Sequence, residues 1–187
     1  MDQTSLIQRI LAGESRAYEE LVKTYQHMVF TLCLRVLRNT EDAEEATQDA
    51  FVKAYQNLAG FDGRSKFSTW LYSIAYRNAI SAGRRRRQES SSLDEIVHHP
   101  GAEPAFGNGN ANAKHFVDRA LARLHHEDAS ILSFHYLEEM TVDEIVTVTG
   151  LSASNVKVKL HRGRKKLAEQ LEHDLGPEAR GLLLEHA

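Results

Sequence analysis

Apolar positions recur at helical spacing almost from the start of the chain. Leu6, Ile7, Ile10 and Leu11 fall on one stripe of a helix over 2–12, with Gly13 as its stop. The spacing of Leu21, Val22, Tyr25, Val29, Leu32, Val36 and Leu37 predicts a long helix over 15–38. Asn39 reads as its C-terminal cap and Thr40 as the cap of the next helix. That third helix, 41–58, opens on Glu41, Asp42, Glu44 and Glu45, which favour the positive end of the helix dipole. After the loop Phe61-Asp62-Gly63-Arg64-Ser65, a fourth helix is expected over 68–83. No strand-type alternation competes with this pattern.

The texture changes over 89–113. Ser90-Ser91-Ser92, Pro100-Gly101, Pro104 and the run Gly107 to Ala113 hold too little apolar surface for a core, so the segment reads as a flexible linker. Helical periodicity returns with Phe116, Val117, Ala120, Leu121 and Leu124, then Ala129, Ile131, Leu132, Phe134 and His135. Thr141-Val142-Asp143-Glu144 has the form of a capping box and opens a short helix ending at Gly150. Ser152 caps a last helix running to about Leu171. A short helix, a glycine turn and a longer helix make a helix-turn-helix, with Val142, Ile145, Val146, Leu151, Val156 and Leu160 facing inward. The expected fold is all-α. Two small helical domains, 1–88 and 114–175, are joined by the linker 89–113 and followed by a tail, 176–187.

Composition narrows the class without naming it. With 187 residues, 42% hydrophobic and 26% charged, the chain suits one ordinary globular domain or two small ones. No run approaches the ~18 apolar residues of a membrane span. The opening MDQTSLIQRI lacks the basic-then-apolar order of a signal peptide. A single cysteine, Cys33, excludes an internal disulfide framework and a zinc finger, and fits a reducing cytoplasm. Lying between Leu32 and Leu34, it reads as a buried, inert thiol.

Charge changes the picture more. Six bases face ten acids over 1–62, yet 63–88 carries seven bases and 156–166 six, and neither block holds an acid. Solvated helix faces normally mix signs, so two such blocks on a chain of net charge -3 point to two contacts with one polyanion. In a helix-turn-helix the second helix enters the major groove. Ser154, Asn155, Val158, Lys159 and Arg162 share roughly one face there, with Lys157, Lys165 and Lys166 beside it. Asn suits adenine, Arg or Lys suits guanine, and the remaining cations suit phosphates.

The first basic block interleaves Phe61, Phe67, Trp70, Tyr72 and Tyr76 with Arg64, Lys66, Arg77 and Arg84 to Arg87. Rings among cations suit single-stranded nucleic acid, whose bases stack while its phosphates are neutralised. Phe67 and Trp70 keep helical spacing with Leu71 and Ile74 and read as core. Tyr72 and Tyr76 lie on another side and read as DNA contacts, and the loop 61–66 as a holder for an extruded base.

The run Asp42-Ala43-Glu44-Glu45-Ala46-Thr47-Gln48-Asp49-Ala50-Phe51-Val52-Lys53-Ala54-Tyr55 resembles region two of bacterial RNA polymerase sigma factors. Phe67 to Ala75 is similar to the promoter-melting segment of their extracytoplasmic-function group, and Leu151 to Leu167 resembles region four. The resemblance implies that Asp42, Glu45, Gln48, Asp49 and Lys53 contact the clamp helices of the beta-prime subunit of bacterial core RNA polymerase. It places Phe61, Arg64, Lys66, Tyr72, Tyr76, Arg77, Asn78, Arg84 and Arg85 on the opened minus-ten strand. Ser152, Ser154, Asn155, Lys157, Lys159, His161, Arg162, Lys165 and Lys166 would meet the duplex minus-thirty-five element, region four docking on the beta flap. The linker would thread toward the active-site and RNA-exit channels, and an anti-sigma factor would hold the factor inactive. The chain departs from the group at Ser81, where many members carry Asp, and at Gly83 before the arginine run.

Other classes fit less well. A stand-alone helix-turn-helix regulator has no use for an acid-rich helix followed by an aromatic and basic one. No nucleophile triad, phosphate loop or dinucleotide fingerprint occurs, so no enzyme and no cofactor is expected. The adjacent pairs His98-His99 and His125-His126 are poorly placed to share one ion, and His27 and His135, among apolar neighbours, read as structural, so no metal site is expected.

Overall fold

The computed structural model describes residues 3–91 and 111–175. These form α1 (Gln3–Leu11), α2 (Ser15–Leu37), α3 (Thr40–Asn57), α4 (Phe67–Ser91), α5 (Ala111–Arg123), α6 (His126–Tyr136), α7 (Val142–Thr149) and α8 (Ala153–Leu175). A single 3-10 turn, Leu58–Gly60, closes α3. The described residues contain no strand, as the periodicity predicts.

In the first unit α2, α3 and α4 pack against one another and α1 lies along α2. The inner face of α3 is built from Ala43, Ala46, Ala50 and Ala54, with Phe51 as the large residue among them. Small side chains let the neighbouring backbones approach closely. The buried Asn78 of α4 accordingly reaches the carbonyl of Ala46, donating at 2.9 Å. Phe67, Leu71, Leu21 and Leu58 are fully buried between the helices, each contributing about 1.5–3 kcal/mol by leaving water.

In the second unit α5, α6 and α7 all pack on α8. Thr141 and Glu144 form the predicted capping box: the Thr141 N–H donates to Glu144 Oε2 at 2.9 Å, and the Glu144 N–H donates to Thr141 Oγ1 at 3.3 Å. Gly150 ends α7 at φ 74°, a left-handed conformation that glycine adopts without strain. Gly163 serves a different purpose. A Cβ there would lie 3.0 Å from Leu132 Cδ1, so the bare backbone lets α8 close onto the buried core of α6.

Helix ends differ from the sequence reading in three places. Arg38, not Asn39, ends α2, in the left-handed region at φ 54° with its N–H on Leu34 O. Asn39 caps α3 instead, its side chain accepting from the Asp42 N–H at 2.9 Å, because that satisfies an otherwise orphaned donor. Gly83 does not stop α4, which continues through the arginine run to Ser91; a Cβ there would stand at ordinary contact distance, 3.4 Å, from Leu37. Residues 89–91 and 111–113, read as linker, are therefore helical, while the remainder of that segment and the tail fall outside the described residues. His27 sits on the exposed side of α2 rather than among the apolar residues. Cys33 is fully buried, and burial pushes its thiol up to about 11, which keeps it protonated and unreactive.

The two units touch. α2 packs on α6, and α4 packs on α7.

Candidate nucleic-acid interface

Three surfaces carry the residues singled out in the sequence. On α3, the alanine stripe turns inward and leaves Glu45 and Gln48 exposed. Asp42 pairs with Arg86 of α4, and Lys53 reaches the side-chain oxygen of Asn78. The structure adds two residues that sequence reasoning missed. Val52 and Tyr55 are 54% and 51% exposed and continue the line of Gln48 along one face. The signal was legible as spacing, since positions 48, 52 and 55 follow the helical repeat on the side away from the alanines.

The second surface is the loop 61–66 with α4. Asp62 accepts from the Arg64 backbone N–H at 3.1 Å and from its guanidinium at 2.5 Å, closing the turn around Gly63. These hydrogen bonds, the backbone one first, hold the Asp62 carboxyl below its usual range. Phe61, Phe67 and Trp70 form a ring cluster with centroids 5.4–5.5 Å apart, so the expectation that Phe67 and Trp70 are core holds for the fully buried Phe67, while Trp70 stays half-buried. Arg64, Lys66, Arg77, Arg84 and Arg85 are all exposed.

Three residues read as DNA contacts are not open to solvent. Asn78 is buried, with both ends of its amide used inside the first unit. Tyr72 and Tyr76 are 3% and 5% exposed because Phe134 of α6 stands over them, with ring centroids at 5.6 and 5.9 Å. Burial pushes the Tyr76 hydroxyl up to about 12. Burial, and then Glu138 beside it, raises that of Tyr72 further.

Polar contacts rim these rings. Glu144 Oε1 lies 3.2 Å from Lys66 Nζ and 3.4 Å from Thr69 Oγ1. Arg35 of α2 pairs with the buried Asp118 of α5 at 3.6 Å, and the Arg38 guanidinium donates to the Leu124 carbonyl. The face of α4 expected to meet an unpaired strand is thus covered by α6 and α7. Within one chain both units cannot offer that face and this packing together.

The third surface is the open side of α8. Val156, Leu160 and Gly163 turn inward. Ser152, Ser154, Asn155, Lys157, Val158, His161, Arg162, Lys165 and Lys166 are exposed. Lys159 departs from the sequence reading: its ammonium is only 2.5 Å from Glu127 Oε2 and 3.5 Å from Asp128 Oδ1 on α6, half-buried against that helix. Lys166 lies 3.4 Å from the same Asp128. No group of three or more histidine, cysteine or acidic side chains suited to a metal occurs among the described residues. No described helix is long and apolar enough to cross a membrane.

Known proteins match this architecture. The family described as Sigma-70 region 2 matches residues 21–89, and Sigma-70, region 4, matches residues 117–167. The chain is 27% identical over 176 residues to the ECF RNA polymerase sigma factor SigW of Bacillus subtilis (strain 168), spanning 88% of this chain and 94% of that one. It is 28% identical over 178 residues to the ECF RNA polymerase sigma-E factor of Escherichia coli (strain K12), spanning 89% and 93%. The fold is similar to that of the sigma factor RpoE, solved in complex with the anti-sigma factor NepR from Bartonella quintana. The TM-score is 0.68 at 18% identity, over 83% of this chain and 96% of that one. CnrH, solved with the cytosolic domain of CnrY, gives a TM-score of 0.64 at 23% identity, over 90% and 96%.

Proposed function

Because the chain belongs to the extracytoplasmic-function group of the sigma-70 family, we propose that it is a promoter-specificity subunit acting in the cytoplasm on bacterial core RNA polymerase. The observation that carries this reading is the order of two sigma regions on two helical units of one chain, the second ending in a helix whose open side is cationic and free of acids from Ala153 to Ala168. The first unit, 1–88, docks on the clamp through the exposed line of α3: Glu45, Gln48 and Lys53, with Asp42 and Asp49 beside them and Val52 and Tyr55 supplying apolar area. Arg64, Lys66, Arg77, Arg84 and Arg85 follow the phosphates of the opened minus-ten strand, and Phe61 closes the loop that receives a base. The second unit, 114–175, lays α8 in the major groove of the minus-thirty-five element. The chain itself makes and breaks no bond; stacking and phosphate contacts offset the few kcal/mol needed to unstack each base.

In this reading the packing of α6 and α7 on α4 is the resting form. Engaging the polymerase separates the units and uncovers Tyr72 and Tyr76 for the strand. An anti-sigma partner acts by holding the units in a form that cannot dock. Asn78 is a positioning residue inside the first unit, not a DNA contact.

Co-elution of the purified chain with core RNA polymerase, followed by transcription from a template selected by that complex, tests the proposal. The parent chain co-elutes and initiates, and a Gln48→Ala, Asp49→Ala variant that stays folded does both more weakly. A folded, partner-free chain that ignores core polymerase yet binds duplex DNA would instead be a stand-alone regulator.

A further inference from the structure

The open side of α8 carries one large apolar residue among its polar and cationic ones. Val158 is 43% exposed. Asn155 lies three residues before it and Arg162 four after, so the three share one face of the helix. Lys157, His161 and Lys165 flank that face, all exposed, and no acid occurs between Ala153 and Ala168. Lys159 is held back by Glu127 and Asp128 and does not compete for the centre of the face.

A lone exposed apolar side chain is ordinary on a protein surface. Its place here is what matters, at the middle of the face that the proposed function lays against base edges. In the major groove the bases offer hydrogen-bonding groups and one apolar feature, the C5 methyl of thymine. A valine has no donor or acceptor for the former and is the right size and chemistry for the latter. Asn155 and Val158 are separated by about 4.5 Å of helical rise, comparable to the step of about 3.4 Å between base pairs, so they address neighbouring pairs.

We propose that Val158 is a specificity-determining residue that packs on the methyl group of a thymine adjacent to the base pair read by Asn155. Resting on the promoter-reading role of α8, the inference adds that part of the minus-thirty-five preference is read as a methyl, not as a hydrogen bond.

The test uses the full chain bound to core polymerase. A preferred minus-thirty-five duplex is first selected from a randomised library. Each thymine of that element is then replaced singly by deoxyuridine, which keeps every hydrogen-bonding group and removes only the methyl. With the parent chain, one replacement weakens binding by about three- to tenfold, the scale of one buried methyl-sized group. With Val158→Ser, an exposed substitution that leaves the core untouched, the same replacement has no effect, and the thymine is no longer enriched on reselection. Indifference of the parent to every methyl would overturn the inference, as would a methyl effect that survives in Val158→Ser. If the library yields no minus-thirty-five preference at all, the promoter reading falls and this inference with it. That failure shows at the selection step, before any methyl is removed.

Discussion

The Lys66 ammonium lies 3.2 Å from Glu144 Oε1, while the other oxygen of the same carboxylate caps α7 through the Thr141 N–H. One side chain thus starts the helix-turn-helix and latches it onto the loop expected to hold an opened strand. The carboxylate pairs with the same ammonium that the proposed function sets against a strand phosphate. The Thr141 N–H, and then Lys66, hold the Glu144 carboxyl below its usual range, so it is ionised wherever the protein functions.

Replacing Glu144 by Gln keeps a capping-box residue but removes the charge. Because Lys66 is largely exposed, the pair is worth at most about 1 kcal/mol. The free Glu144→Gln chain is expected to bind a DNA bubble two- to fivefold more tightly than the parent, with a melting temperature within a few degrees. Fluorescence anisotropy on a labelled bubble measures this. Unchanged bubble affinity would show that the latch does not limit access to α4.

Asn78 yields the opposite kind of prediction. Its amide donates to Ala46 O at 2.9 Å and accepts from Lys53, both residues of α3, where α3 packs on α4. Asn78→Ala removes both bonds from a buried site, at a cost of about 1–3 kcal/mol. That lowers the melting temperature of the first unit by several degrees, and the selected minus-ten sequence does not change. A changed minus-ten preference at full stability would place Asn78 on the DNA.

Much of this arrangement was legible in the chain. Local rules carried the helices: the stripe Leu21 to Leu37, the capping box at Thr141, and the glycine turn at Gly150 each depend on residues a few positions apart. The ends of α2 and α4 differ from that reading for two reasons, one a local ambiguity and the other a tertiary contact. Asn39 serves both as a plausible C-cap and as an N-cap, and Gly83 is tolerated where α4 passes Leu37. The site was legible as a set of surfaces but not as an assembly. Nothing near Tyr72 or Tyr76 in sequence announces Phe134 some sixty residues later, and Lys159 looks like its cationic neighbours until Glu127 of α6 is placed beside it.

His126 makes the contact between the units sensitive to pH. Burial holds its imidazole below the ordinary value of 6.5, helped by His125 beside it and by Arg38 of α2 and Arg87 of α4, and opposed by Glu127. A ring that ionises less readily in the closed form than in the open one binds more protons when open. Its contribution to closure is therefore full above about pH 6.5 and weakens as pH falls below it. Small-angle scattering should report a larger radius of gyration at pH 5.5 than at pH 7.5, and His126→Gln should remove most of that difference. Equal compaction of the parent at both pH values, with the fold intact, would count against the switch.

The lysines of α8 divide into two kinds, and salt separates them. Lys159 is bound to Glu127 and Asp128 of α6, so truncating it takes the cation from the half-buried Glu127 and leaves Asp128 with Lys166 alone. Arg162, less than one turn further along, is exposed on the open side. Each phosphate contact releases counterions, and losing one flattens the dependence of log affinity on log salt by about one unit. Arg162→Ala in the polymerase-bound chain should weaken binding to a minus-thirty-five duplex at 50 mM salt and flatten its salt dependence by up to about that unit. Lys159→Ala should leave the slope unchanged and cost about 1–2 kcal/mol in the stability of the second unit, between the values for exposed and buried pairs. Titrations between 50 and 200 mM salt, with thermal melts of both variants, measure the two quantities together. If Lys159→Ala flattens the slope as much as Arg162→Ala, the lysine leaves α6 when DNA binds, and its pairing with Glu127 belongs to the free chain alone.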